Sequence, residues 1–391
     1  MKKFVAATLA VSMLITLASC TKATNSASGS TPANNTQAGG ETIKIGGLAP
    51  LTGPASVYGV AANNGIKLAV NDINAAGGIM GKQIEYIVYD EKGDSTEAVN
   101  AYNKLVQDDK VVGVVGDVTT KPTLAVAQAS LQDNIPLITG TATAEAVTLT
   151  GENVFRSCFT DPFQGELMAA YTANNLKAKT AAILYNAADD YSSGVAASYK
   201  KNAEAAGITI VAEEKFQTDD VDFKSQLTTI KGKNPDVLLL PVYAQDLRLI
   251  AAQAKELGIT SQLMGVDGWD GVLEDKNFDA SVLEGGIFCS QYSAESKDEA
   301  LQAFIKSYKA AYNADPNMFA VLAYDAMQIM AKGIEKAGST ESKAIIDAMK
   351  ATDYKGLTGD ITFDENRNPV KSAVAMSIKG GEYKFIENFK K

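Results

Sequence analysis

Short apolar runs alternate with amphipathic stretches along most of the chain. Residues 43–48 and 84–89 are apolar runs that predict strands, and residues 66–73 between them carry Ile66, Ala69, Val70 and Ile73 at helical spacing. The pattern therefore predicts a repeated strand–helix alternation. The further predicted strands are residues 111–115, 135–138, 181–185, 208–212, 237–240, 262–265 and 373–378. The further predicted helices are residues 96–107, 123–132, 194–206, 223–231 and 244–257.

Several of these strands are continuously apolar and do not alternate with polar residues. Strands of that kind are buried on both faces, which is typical of parallel sheets covered by helices. Because the alternation ends near residue 138 and starts again at Ala181, we expect an α/β fold with two lobes, each a mainly parallel sheet flanked by helices. Residues 300–349 are predicted to be largely helical, and residues 359–369 resemble a hairpin.

The first residues have the pattern of a lipoprotein signal. Lys2 and Lys3 precede an apolar stretch over residues 4–17, and Leu-Ala-Ser-Cys at 17–20 matches the lipobox, in which the cysteine is lipidated. An ordinary signal peptide with a chance cysteine is the alternative. We expect a signal peptide over residues 1–19, lipidation at Cys20 and a flexible tether over residues 20–41, because residues 21–41 contain no large apolar side chain. The protein is then predicted to be extracytoplasmic and lipid-anchored to the cell membrane.

Composition removes several classes of function. The chain has no histidine, which excludes serine–histidine and cysteine–histidine catalysis and histidine-ligated zinc. Its formal net charge of −10 argues against a nucleic-acid partner, since phosphate binding needs basic surfaces. We found no dinucleotide or phosphate-loop motif and expect no cofactor and no metal. Cys158 and Cys289 either pair or remain buried free thiols.

Candidate binding residues follow the predicted strands, because ligands of open α/β sheets bind beyond the carboxyl ends of the strands. Thr119 and Thr120 precede Lys121-Pro122, which predicts a helix start whose free N–H groups attract an anion. Residues 139–143 offer small side chains, hydroxyls and carbonyls. Asp267, after another strand, can neutralise an ammonium. A zwitterion satisfies all of these groups.

Aromatic side chains also follow strands and are suited to covering the apolar part of a ligand. They are Tyr58, Tyr191, Tyr243 and Trp269. Taken singly, such residues more often cap helices, form turns or pack on the surface. Only their joint placement at strand ends in both lobes favours a ligand site.

The chain resembles the leucine/isoleucine/valine-binding family of periplasmic binding proteins. The resemblance covers nearly the whole body after the tether. The stretches that carry it are 51–54 with 58–59, 71–79 with Gly81, 115–116 with 119–120, 138–143, 155–156 with Asp161 and 164–165, and 324–325. It implies a type I two-lobed clamshell with three hinge crossovers and no catalysis.

The resemblance also implies roles for individual residues. Thr120 matches the position that binds a ligand carboxylate with its hydroxyl and amide, and Asp267 matches the acid that pairs with the ammonium. Further implied contacts are Thr141 and Thr143 (carboxylate and ammonium), Ala142 (close backbone approach), Tyr58, Tyr191 and Tyr243 (facing the ligand), and Phe319 (an apolar wall).

Three departures from the family pattern concern the ligand. The best-known members have glutamate at the position of Asp267 and a disulfide where Gly93 and Thr119 stand here. They have a small residue at the position of Trp269, so the indole is expected to shrink the side-chain pocket or stack on the ligand. These departures are compatible with a zwitterion site but argue against leucine as the specific ligand.

The resulting hypothesis is a monomeric substrate-binding protein that captures an amino acid and delivers it to the permease and ATPase subunits of an ABC importer. We expect residues 42–160 and 292–370 to form lobe I, and residues 161–291 and 371–391 to form lobe II. Open alternatives are a sensor component for a membrane receptor, an importer component for a small amide, and a secreted enzyme that uses carboxylates.

Overall fold

The computed structural model describes residues 41–389. The predicted signal peptide, the lipidation site Cys20 and tether residues 20–40 lie outside the described residues. Fourteen strands and eleven α-helices are found in the described part of the chain. The fold class expected from the sequence is confirmed: two helix-flanked sheets, mainly of parallel strands, divide the chain.

The first sheet contains five parallel strands in the order β2-β1-β3-β4-β5. They are β1 (Ile43–Ala49), β2 (Ile84–Asp90), β3 (Val114–Val115), β4 (Leu137–Thr139) and β5 (Val154–Arg156).

The second sheet contains seven strands in the order β14-β13-β10-β9-β8-β6-β7. They are β6 (Thr180–Asn186), β7 (Thr209–Phe216), β8 (Val237–Leu239), β9 (Gln262–Gly265), β10 (Ile287–Ser290), β13 (Val374–Lys379) and β14 (Glu382–Asn388). The first five in chain order are parallel, whereas β13 pairs antiparallel with β10 and forms a hairpin with β14. A separate hairpin joins β11 (Asp353–Gly356) to β12 (Gly359–Thr362).

Helices cover both sheets. They are α1 (Ser56–Ala75), α2 (Ser95–Lys104), α3 (Thr120–Asp133), α4 (Ala146–Leu149), α5 (Asp161–Asn174), α6 (Asp190–Ala205), α7 (Lys224–Lys233), α8 (Ala244–Glu256), α9 (Glu299–Tyr312), α10 (Met318–Ala337) and α11 (Ser342–Lys350). Helices α1 and α10 pack together, as do α2 with α3 and α5 with α6.

The apolar run of β1 is buried on both faces, as its composition predicts. Ile45 belongs to a core cluster with residues of α1 and α10, and Leu48 belongs to a different cluster with residues of α2 and α3. Helices therefore cover the first sheet on both sides, which is why this strand carries no polar alternation.

The chain passes between the two sheets three times, after β5, after β10 and before β13. In each sheet the strand order reverses direction once, between β1 and β3 in the first and between β6 and β8 in the second. These reversals are the topological switch points at which open α/β sheets form crevices for ligands. Within residues 41–389, none of the helices combines the length and the apolar content that crossing a membrane requires.

Candidate functional site

Tyr58 connects the carboxyl ends of the two sheets. It lies in the first turns of α1 and is completely buried. Its hydroxyl donates to the Gly268 carbonyl at 2.6 Å and accepts from the Ala244 N–H at 2.6 Å. Gly268 follows β9 and Ala244 begins α8 after β8. The two carboxyl edges therefore face each other across a short distance.

Four aromatic rings from both sides meet around this connection. The Tyr58 ring centroid lies 4.3 Å from that of Phe319 and 5.7 Å from that of Tyr243. Tyr243 stacks on Tyr191 at 4.8 Å with an interplanar angle of 23°. We call these four residues the aromatic cluster. All four were singled out in the sequence, and the structure brings them together as an apolar wall.

Asp267 lies next to the aromatic cluster with an exposed fraction of 3%. Its Oδ1 accepts from the Tyr191 hydroxyl at 2.9 Å, and its N–H donates to Gln164 Oε1 at 3.0 Å. Burial raises the pKa of Asp267 to about 7. Because a cation nearby favours the ionised form of a carboxyl group, an ammonium would find a ready partner here.

Thr120 and the start of α3 are suited to a negatively charged group. Thr119 precedes the helix in an extended conformation, and its side chain caps no N–H. The Thr120 hydroxyl is buried and has no hydrogen-bond partner within the described chain. A helix start with free N–H groups and an unpaired hydroxyl is suited to a carboxylate.

The loop after β4 lies beside this helix start. The Thr141 hydroxyl donates to the Val118 carbonyl at 2.6 Å, which ties the loop to the residues before α3. The Ala142 N–H donates to Thr139 Oγ1 at 3.0 Å, and the Thr143 carbonyl accepts from the Asp161 N–H at 3.0 Å. The hydroxyl of Thr141 keeps its lone pairs free to accept, so the loop presents both donors and acceptors.

A buried arginine holds this loop in place. Arg156, at the end of β5, is completely buried, and its guanidinium donates to the carbonyls of Ala142, Ala144 and Glu145 at 3.0, 2.8 and 3.2 Å. Cys158 lies beneath the same loop, with its Sγ 3.4 Å from the Ala142 carbonyl. Cys158 and Cys289 are both buried free thiols, which decides between the two states left open by the sequence.

Asp161 is a candidate that reasoning from strand ends missed. It begins α5 and is 1% exposed, and its Oδ2 has no hydrogen-bond partner within the described chain. Oδ1 accepts from Gln164 Nε2 at 3.3 Å. Burial, with a smaller effect of the Asp267 charge, raises the pKa of Asp161 well above its usual range. The short strand β5 that leads to Asp161 was not recognised in the sequence, although residues 155–156 and Asp161 carry part of the family resemblance.

Trp269 lies elsewhere than the sequence led us to expect. Its indole Nε1 donates to the Leu240 carbonyl at 2.9 Å, and its ring centroid lies 6.1 Å from that of Phe288. The space it occupies exists because Gly265 has no side chain: a Cβ there would lie 1.9 Å from Trp269 Cε2. The indole is a core residue of the second sheet, and we remove it from the candidate ligand contacts.

The remaining candidates lie on elements of both sheets. Thr120, Thr141, Ala142, Thr143, Tyr58 and Phe319 come from elements on the first sheet; Tyr191, Tyr243 and Asp267 come from elements on the second. Among residues 41–389, no group of three or more histidine, cysteine, aspartate or glutamate side chains is arranged to hold a metal ion.

Comparison with known proteins gives a consistent result. The family model described as "Periplasmic binding protein" matches residues 42–382. The leucine-, isoleucine-, valine-, threonine- and alanine-binding protein of Pseudomonas aeruginosa is 32% identical over 331 residues, covering 83% of this chain and 86% of that protein. The Leu/Ile/Val-binding protein BraC3 of Rhizobium johnstonii is 34% identical over 328 residues, covering 83% and 88%.

A solved structure matches over almost its full length. The branched-chain amino acid transporter substrate-binding protein LivJ of Streptococcus pneumoniae, in complex with isoleucine, superimposes with a TM-score of 0.83 at 34% identity. The match covers 88% of this chain and 99% of the LivJ chain.

Proposed function

The chain belongs to the periplasmic binding protein family, and we propose that it captures a branched-chain or similar small apolar amino acid for an ABC importer. The P. aeruginosa relative is named for leucine, isoleucine, valine, threonine and alanine, and the S. pneumoniae structure holds isoleucine. We assign the protein no catalytic role, because its family serves transport.

The chemistry of the site supports a zwitterionic ligand. We infer that the start of α3 and the Thr120 hydroxyl bind the carboxylate, with Thr141, Ala142 and Thr143 alongside. We infer that Asp267 binds the ammonium, with Asp161 as a second acceptor. The aromatic cluster then covers the apolar side chain. The ligand carboxylate would then meet hydrogen-bond donors and the ammonium would meet carboxylates, in a site shielded from water.

One observation carries this proposal. The Thr120 hydroxyl and Asp161 Oδ2 are buried without a partner, although burying an unpaired polar atom costs about 1–3 kcal/mol. They come from opposite sheets, and each lies beside other candidate contacts: Thr120 near the Thr141 loop, and Asp161 against Thr143 and Gln164. A ligand with a carboxylate and an ammonium satisfies both atoms.

Closure would follow from contacts with both lobes. We take residues 42–160 with 292–370 as lobe I and residues 161–291 with 371–391 as lobe II. A ligand that binds both lobes shifts the population toward the closed state by its difference in affinity for the two states. The closed, ligand-bound form would then dock on the permease, and ATP hydrolysis by the ATPase subunits would drive import.

We further propose that the protein works as a monomer, lipidated at Cys20 and tethered outside the cytoplasmic membrane. The lipobox residues 17–20 support this proposal. A Cys20→Ser variant is expected to lose incorporation of labelled fatty acid and to leave the membrane fraction. Equal labelling of Cys20→Ser and of the unaltered chain would contradict the anchor.

A thermal-shift screen tests the ligand assignment, because a ligand specific to the native state raises the melting temperature. Leucine, isoleucine and valine are expected to raise it. Two matched analogues of leucine serve as controls: 4-methylpentanoate lacks the ammonium, and 3-methylbutylamine lacks the carboxylate. Both are expected to give little or no shift. A screen in which no amino acid shifts the transition, or in which 4-methylpentanoate matches leucine, would overturn the zwitterion assignment.

A further inference from the structure

The segment that begins at Asp267 makes a second contact with lobe I, besides the hydrogen bond from the Tyr58 hydroxyl to Gly268. Asp270 Oδ2 accepts from the backbone N–H of Met318 at 2.9 Å. Met318 is the first residue of α10, which packs against α1 and against β3 and β4 of the first sheet. Asp270 is 4% exposed. A buried carboxylate of lobe II therefore caps the start of a long helix of lobe I.

Glu274 extends this contact by one further hydrogen bond. Its Oε1 accepts from Asn317 Nδ2 at 2.6 Å, and Asn317 is the N-cap residue of α10. Gly271 lies between the two acids with φ +97°. A Cβ on Gly271 would lie 3.2 Å from Val57 Cγ2 and 3.5 Å from Asn317 Nδ2, so the backbone of this segment lies directly against lobe I.

Asp270 is rigidly linked to the candidate ammonium partner Asp267. The two residues bound a single helical turn in which the Asp270 N–H donates to the Asp267 carbonyl at 3.0 Å. The next residue is also fixed, because the Gly271 N–H donates to the Tyr383 hydroxyl at 2.9 Å. A displacement of Asp267 on ligand binding is therefore transmitted to Asp270 with little loss.

We propose that Asp270 is a positioning residue that couples ligand capture to lobe closure, with Glu274 as its auxiliary. This inference rests on the proposed function. The ligand orders one end of the segment at Asp267, and the other end docks on the start of α10. The contact is favourable because carboxylates are stabilised at helix N-termini and because hydrogen bonds to charged groups are stronger than neutral ones. The contact joins the two lobes and therefore stabilises the closed state, so its energy appears as slower ligand release.

Leucine binding by Asp270→Ala, compared with the unaltered protein, tests the coupling. Burial raises the pKa of Asp270 to about 7, so binding is measured at about pH 8, where the carboxylate is ionised. The dissociation constant is expected to rise about tenfold or more, almost entirely through faster dissociation. The matched control is Asp275→Ala, which removes an exposed acid of the same segment that bonds only to the nearby Asn277 N–H. It should bind as the unaltered protein does.

Glu274→Ala provides a second variant that is less prone to folding problems, since Glu274 is exposed whereas Asp270 is buried. A several-fold faster dissociation is expected. A purely structural role for Asp270 would lower the melting temperature of the ligand-free protein and leave the dissociation rate unchanged. An unchanged dissociation rate in both Asp270→Ala and Glu274→Ala would overturn the coupling while leaving the proposed function intact.

Amide hydrogen exchange at Met318 separates failure of the coupling from failure of the proposed function. If the unaltered protein does not bind leucine, the ligand assignment fails, and the contact is then judged in the ligand-free protein. Slow exchange at Met318 that becomes fast in Asp270→Ala supports the contact as a closure device. Exchange that is equally fast in both proteins overturns it.

Discussion

The Tyr191 hydroxyl and the Asp267 carboxylate are joined by a hydrogen bond of 2.9 Å in the buried region between the two sheets. The same hydroxyl accepts from the Gly268 N–H at 3.0 Å. Tyr191 therefore fixes both the acid and the backbone beside it. Its oxygen can donate only one hydrogen to Asp267, so the acid keeps acceptor capacity for a ligand ammonium.

The first prediction is that affinity for a zwitterionic amino acid rises with pH and levels off above neutrality. Burial raises the pKa of Asp267 to about 7, so the free site is largely protonated in mildly acidic solution. An ammonium favours the ionised acid, and binding below that pKa must release a proton. Calorimetry between about pH 5.5 and pH 8, in buffers of different ionisation enthalpy, measures both the affinity and the proton release.

Asp267→Asn is the matched variant for this dependence. It keeps the shape of the side chain and removes the charge, so it should bind about tenfold or more weakly at the upper end of the range. Its affinity should also vary less with pH. A variant that retains both the affinity and the full pH dependence would exclude Asp267 as the ammonium partner, and attention would pass to Asp161.

The second prediction concerns the hydroxyl that bridges the sheets. Tyr58→Phe leaves the Ala244 N–H and the Gly268 carbonyl without their partner in the closed form. Unpaired buried groups cost about 1–3 kcal/mol, so the ligand should dissociate roughly ten times faster or more. Stopped-flow displacement measures this rate.

Tyr199→Phe is the control for Tyr58→Phe. Tyr199 is also buried, but its hydroxyl bonds with Thr172 within one lobe at 3.0 Å. Loss of that bond should lower the free energy of unfolding and leave the dissociation rate unchanged. If the two variants changed the dissociation rate equally, the bridge across the lobes would have no special role in closure.

Much of the fold was predictable because its buried strands are short apolar runs that can be recognised in the local sequence. Residues 262–265 were predicted as a strand from their apolar character and form β9 with those bounds. Strands β5 and β10 were not recognised. Strand β5 is only three residues long and ends in Arg156, whose burial depends on carbonyls of a loop that precedes it in the chain. Hydrogen bonds between residues that are separated in the sequence leave no periodic pattern in it.

The candidate site was predictable to the extent that its residues follow strands. That rule found Tyr58, Thr120 and Asp267 but could not find Asp161, which lies on the crossover after the unrecognised β5. The rule also does not give side-chain direction. Trp269 follows β9 as expected, yet its ring turns into the core because Gly265 leaves room for it there.

The third prediction is that Thr120→Val weakens ligand binding without destabilising the ligand-free protein. The Thr120 hydroxyl is buried and unpaired within the described chain, so its replacement by a methyl group removes a desolvation cost. The free energy of unfolding should stay the same or rise by up to about 1 kcal/mol, while affinity falls about tenfold or more through the lost bond to a carboxylate. Urea unfolding and calorimetry measure the two quantities.

Thr123→Val, in the same helix, should behave in the opposite way. Its hydroxyl is buried but bonded to the Thr119 carbonyl at 2.7 Å, so its loss should cost stability and leave affinity unchanged. A Thr120→Val protein that is destabilised yet binds normally would mean that the hydroxyl serves the fold and has no part in the site.

The fourth prediction follows from two buried acids behind the start of α3. Glu91 follows β2 and Asp117 follows β3; both are completely buried, and one oxygen of each accepts no hydrogen bond from a donor in the described chain. Burial, with the Asp117 charge beside it, raises the pKa of Glu91, and burial raises that of Asp117. One proton shared between the two carboxyls satisfies both oxygens.

This pair should make the protein less stable as pH rises. Between the ordinary Glu value of 4.5 and the raised value in the folded protein, the folded state holds a proton that the unfolded state has lost. Stability then falls with rising pH through that interval, because the slope follows the protons bound in the unfolded state minus those bound in the folded state. Glu91→Gln supplies a permanent donor to Asp117 and should flatten the fall, so that the variant becomes the more stable protein in mildly alkaline solution. Urea unfolding at about pH 5, 7 and 9 measures it. Glu85→Gln, an exposed change on β2, should follow the unaltered protein throughout; a Glu91→Gln curve parallel to that control would show that the two acids do not share a proton.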